Sequence, residues 1–128
     1  MIFSWQTILA IGTGGFLGAV ARAYSIHFSN KYIPLEFPVG VLLVNIIGSF
    51  IIGSLFAIFA HYTVGDSTKA FLTTGFLGAL TTYSTFAIES FFLLQTSLLL
   101  GISNMLLNVL GTVLAAASGY KILHFFFK

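Results

Sequence analysis

Eight charged residues punctuate this chain of 128 so that it falls into four apolar pieces, each long enough to cross a membrane. Arg22 closes the first piece, Glu36 opens the second, Asp66 and Lys69 interrupt before the third, and Lys121 ends the fourth. A spanning helix needs about 20 mostly apolar residues. With 58% of residues hydrophobic, 6% charged and a mean hydropathy of +1.05, a soluble domain of this size could not hide its apolar surface. The pattern predicts an all-α integral membrane protein, a single domain over residues 1–128, with helices at approximately 4–24, 37–61, 68–95 and 97–120. The most loop-like segment is Ser29 to Pro38, which holds both prolines.

Four such spans leave no room for a nucleotide fold, a soluble domain or a lid. No Lys or Arg precedes the first apolar run and no small-residue cleavage site follows it, so the first helix is expected to be retained. The absence of cysteine excludes disulfides and thiolate metal sites, and a net charge of +2 gives no reason to expect nucleic acid. His27, His61 and His124 sit near span ends without metal-like spacing, so no enzyme is expected.

The Lys/Arg bias of short loops fixes how a membrane protein inserts. Here Lys69, Lys121 and Lys128 share one side and Arg22 and Lys31 the other. Three against two is balanced enough for insertion both ways, as an antiparallel homodimer requires; a weakly biased protein of single orientation is the other reading.

The groups that demand hydrogen bonds are concentrated in Gly75 to Glu89, GFLGALTTYSTFAIE, at a depth where each unsatisfied group costs several kcal/mol. This segment is the prime candidate for the working site. In the first span, Gly14 and Gly18 form a small-xxx-small spacing for close helix packing. Arg22, at the end of that run, either snorkels to headgroups or draws anions to a pore mouth. Asn45 lies about 12 Å into the second span, too deep for its side chain to reach water past lipid, and Ser49 is one turn further on the same face. It is interhelical glue or a neutral donor to an anion. Asn104, Asn108 and Thr112 form a polar stripe on the fourth helix, a pore wall or a packing seam. Glu89, the acid deepest in a span, is expected to be buried in protein and paired, protonated or hydrogen-bonded.

The ordered set GGFLGAVAR (14–22), GVLLVNIIGSFIIG (40–53), GFLGALTTYSTFAIE (75–89) and NVLGT (108–112) resembles the Fluc/CrcB family of small bacterial fluoride channels over essentially the whole chain. The resemblance implies a dual-topology antiparallel homodimer in the bacterial inner membrane. It further implies two fluoride pores, a third helix broken near its middle, and a structural, non-transported sodium ion held by the backbone carbonyls of Gly78 and Thr81 from both subunits. Tyr83 and Phe86 would be the pore aromatics, with Tyr standing where the family usually has Phe. Asn45, Ser84, Thr85 and Thr112 would be the other polar pore groups, and Arg22 a positive vestibule. The implied function is passive export of fluoride, which protects against its toxicity. The rival reading is a small multidrug-type proton-coupled transporter; such a carrier needs a carboxylate in the first helix, and none is present there.

Overall fold

In a computed structural model that describes residues 3–128, four helical spans run up, down, up and down, and among the described residues there is no strand. Helix α1 covers Trp5–Tyr32 and α2 covers Val39–His61. The third span, Asp66–Thr96, is assembled from pieces. These are α3 (Asp66–Ala70), a π-helical stretch (Phe71–Leu77), α4 (Gly78–Leu80) and, after a break, α5 (Ser84–Thr96). Helix α6 covers Leu98–Phe126. Large apolar side chains such as Leu9, Phe16, Phe56, Phe92, Leu110 and Leu114 are exposed around the outside, the reverse of a water-soluble bundle. The chain is a multi-pass membrane protein.

Local chemistry sets several of the helix ends. Ser4 caps α1 by accepting from the Thr7 N–H at 3.2 Å, and Ser97 caps α6 by accepting from the Leu100 N–H at 3.3 Å. Helix α1 runs on to Tyr32, beyond the expected end at Tyr24, and stops where Pro34 disfavours helical geometry at Ile33 (φ −125°, ψ 75°). The apolar pattern ends near Tyr24, whereas the helix continues until proline intervenes. Helix α6 likewise passes Tyr120 and reaches Phe126.

Two close helix pairs build the bundle. Helix α1 lies against the π-helical stretch: a Cβ at Gly14 would fall on the Phe71 carbonyl and one at Gly18 on the Phe76 carbonyl. Helices α2 and α6 pack in parallel, since Asn45 meets Asn108, Gly53 faces the Ala116 carbonyl and His61 meets His124, in that order along both. Their backbones come together through Gly53 and Gly119, where a side chain would collide with a carbonyl of the facing helix. Gly18→Ala is therefore expected to cost about 1–3 kcal/mol by overpacking. Gly12→Ala, inside α1 with nothing within 4 Å of the added carbon, should not destabilise. Thermal melts of the purified protein in detergent check this, and equal melting temperatures for the two variants would refute the close-approach reading.

Candidate functional site

The third span breaks at Thr81, Thr82 and Tyr83. Thr81 is extended (φ −86°, ψ 158°), and the helix resumes at Ser84. Hydroxyl-rich sequence favours such a break because Ser and Thr side chains offer the backbone alternative partners. In an unbroken helix the Thr82 N–H would return to the Gly78 carbonyl. Instead it donates to Asn45 Oδ1 on α2 at 2.8 Å. The Thr85 N–H, which would return to Thr81, instead donates to Thr82 Oγ1 at 3.2 Å, so Thr82 caps α5. Both reroutings free the carbonyls of Gly78 and Thr81 from their helical partners.

Asn45 closes the other side of the break. Its Nδ2 donates to the Thr82 carbonyl at 3.0 Å and to Asn108 Oδ1 at 3.1 Å. Because the Thr82 N–H must meet an oxygen, the amide orientation is fixed, and every polar atom of Asn45 is engaged. The chain of bonds continues along α6. Asn108 Nδ2 donates to the Asn104 carbonyl at 2.9 Å and to Asn104 Oδ1 at 3.0 Å. Asn104 Nδ2 then donates to Ser90 Oγ at 2.9 Å, and Ser90 Oγ to the Phe86 carbonyl at 2.8 Å. Asn45, Thr82, Ser90, Asn104 and Asn108 are all buried. One continuous relay thus ties α2, the break, α6 and α5 together, at a depth where irregular backbone survives only if satisfied by protein or water.

A groove of about 400 Å³ runs beside this relay. Its walls include Asn45, Ser49, Gly78, Thr81, Tyr83, Phe86, Asn108 and Thr112. Tyr83 and Phe86 meet edge to face, with ring centres 5.3 Å apart and planes at 74°. Phe86 is buried, whereas Tyr83 stands 77% exposed and so is free to meet something outside its own chain. Ser84, Thr85, Arg22, Glu89 and Asn104 do not line the groove.

Hydrogen-bond direction sorts the polar candidates. Thr81 Oγ1 donates to the Leu77 carbonyl at 2.9 Å, and Thr112 Oγ1 to the Asn108 carbonyl at 2.6 Å, which commits both protons to helix backbone. Thr85 Oγ1 accepts from Thr82 Oγ1 at 3.1 Å and keeps its own proton available. Ser84 is exposed at the first turn of α5. Glu89 is half-buried on α5, and its Oε1 is shut off from solvent with no hydrogen-bond partner among the described residues. Burial by its own chain is costly for such an unpartnered carboxyl oxygen.

Thr82 and Ser90 are members of the buried relay that the sequence alone does not single out. Thr82 sits within the hydroxyl-rich run already marked. Ser90 had no signal beyond its place one residue after Glu89.

The fold and site together define a small membrane protein of four spans whose third helix is interrupted beside a polar, aromatic-walled groove. Comparison with known sequences gives the class its name. A family profile described as "CrcB-like protein, Camphor Resistance (CrcB)" matches residues 9–120. A protein of Sulfurimonas denitrificans named "Fluoride-specific ion channel FluC" is 52% identical over 122 residues, covering 94% of this chain and 95% of that protein. Proteins of the same name from Nautilia profundicola and Campylobacter lari are 43% and 47% identical; each alignment covers 91% of this chain, with 93% and 96% of the respective relative. The chain belongs to the CrcB family.

Proposed function

We propose that this protein is a fluoride-selective channel, and not an enzyme, through which fluoride leaves the cytoplasm passively across the bacterial inner membrane. The observation that carries the reading is the near full-length similarity to proteins named fluoride-specific ion channels. The groove at the break fits the same task. A small, strongly hydrated anion must exchange its water for several weak donors that release it again. Ring edges carry positive partial charge, so Tyr83 and Phe86 can meet an anion without trapping it. Asn45, Asn108 and Thr112 shape the groove wall, and Ser84 and Thr85, outside the groove of the single chain, offer hydroxyl protons to the pore that two copies would enclose. Arg22 adds positive potential at the approach. The transporter alternative is disfavoured because α1 carries no carboxylate.

The working unit in this proposal is an antiparallel dimer with two pores. The groove and the freed carbonyls lie at a depth where polar groups cannot face lipid. A second copy supplies cover, and the small Lys/Arg imbalance lets both copies insert in opposite senses. The Gly78 and Thr81 carbonyls suit a hard cation such as sodium, because oxygen dipoles without helical partners replace its hydration. Two from each copy would tie the breaks together at the dimer's centre.

Reconstitution into liposomes tests the proposal. Fluoride efflux down its own gradient is expected without a proton gradient, with chloride efflux at background. A C-terminal tag is expected to be labelled from both faces of the membrane. Obligatory proton coupling or equal chloride flux would overturn the channel reading, and labelling from one face alone would overturn dual topology.

A further inference from the structure

His61 and His124 close different spans, and nothing in their sequence spacing connects them. The parallel register that sets Asn45 against Asn108 also brings these two imidazoles together, with ring centres 5.1 Å apart and planes at 59°. With metal–nitrogen bonds of about 2.0–2.1 Å, two imidazoles on one ion hold their centres about 4.5–5.5 Å apart. His61 Nδ1 lies 3.0 Å from the Ala57 carbonyl, which can only accept. The proton therefore sits on Nδ1, and Nε2 keeps its lone pair. This is the carbonyl-oriented tautomer that metal-binding histidines use.

The His124 ring stacks on Tyr120 at 5.7 Å, and its Nδ1 is buried without a hydrogen-bond partner. Phe127 lies 5.3 Å from the His61 ring and completes an apolar rim. Both histidines occupy the last turns of their helices, whose carbonyl ends carry negative partial charge. Two helix C-termini converging on two imidazoles make a place for a cation.

We propose that His61 and His124 bind a divalent transition-metal ion that clamps the ends of α2 and α6. No group of three or more His, Cys, Asp or Glu side chains suited to a metal exists among the described residues. The remaining positions therefore fall to water. Imidazole ligands with open positions select Cu²⁺ most strongly among first-row divalent ions.

Electron paramagnetic resonance of the full chain in detergent, titrated with Cu²⁺, tests the site. One bound ion per chain with coupling to two imidazole nitrogens is expected. His61→Gln and His124→Gln are each expected to weaken binding at least tenfold and to leave one coupled nitrogen, whereas His27→Gln should bind as wild type. Equal binding in all three variants, or loss confined to His27→Gln, overturns the proposal. Should a variant fail to elute as the wild-type species, carbethoxylation of the wild-type chain decides. Metal should protect His61 and His124 and leave His27 reactive; equal modification with and without Cu²⁺ refutes the site.

Discussion

Asn45→Leu is expected to reduce fluoride efflux more than a hundredfold, and the structure makes the reason backbone architecture rather than a lost contact to the ion. Both Nδ2 hydrogens are committed, one to the Thr82 carbonyl and one to Asn108 Oδ1, while Oδ1 receives the Thr82 N–H. Leucine of similar bulk would strand three buried polar groups together. Each interhelical bond of this kind in a membrane is worth about 0.6–1.7 kcal/mol, so the loss of three is on the order of 2–5 kcal/mol. That energy lies at the break itself, the part of the span with least helical support.

Two measurements on a verified dimer separate the roles. If Asn45 is a latch, amide exchange at Thr82 rises together with the loss of flux. Flux lost with Thr82 protection unchanged would return Asn45 to direct contact with the ion, and wild-type flux would remove it from the mechanism. Asn108→Ala removes one of Asn45's three bonds and both bonds to Asn104 but leaves the two bonds to Thr82, so flux should fall between the variant and wild type.

The four spans were legible because hydropathy and the placement of charge are local properties. The same local signals place the end of α2 at His61 and the end of the third span close to Thr96. Where the helix outlasts the apolar run, as at Ser25 to Tyr32, hydropathy carries no signal and Pro34 sets the limit. The polar stripe of Asn104, Asn108 and Thr112 was visible from its spacing. Its closure through Asn45 onto Thr82 was not, because that depends on the parallel register of α2 and α6, which no local pattern encodes. The meeting of His61 with His124 was hidden for the same reason. The break itself entered through family resemblance; a run of Thr and Ser hints at competing hydrogen bonds but does not say which residue leaves the helix. The π-helical stretch Phe71–Leu77 had no counterpart in the sequence reading, although Gly75 within it is one of the places where the α1 backbone, at Ile11 and Gly14, comes close.

Phe86→Ile is expected to cut fluoride flow at least tenfold, and Tyr83→Phe to leave it within a few fold of wild type. The two rings meet edge to face, yet their surroundings differ: Phe86 is 6% exposed and Tyr83 77% exposed. Phe86 is thus held by its own chain, and its edge is presented in a fixed direction. Isoleucine keeps apolar bulk but removes the ring quadrupole and the edge contact that orients Tyr83. A tenfold slowing corresponds to about 1.4 kcal/mol in the limiting barrier, which lies within the about 0.5–1.5 kcal/mol range of a single aromatic interaction. The Tyr83 hydroxyl, by contrast, can go without disturbing the ring, and a phenylalanine there keeps the same edge. Liposome efflux of both variants, normalised to dimeric protein, gives the comparison. Loss of conduction in Tyr83→Phe with near-normal flow in Phe86→Ile would invert the assignment. The phenol proton would then be the donor that replaces water around the ion, and the buried ring only its support.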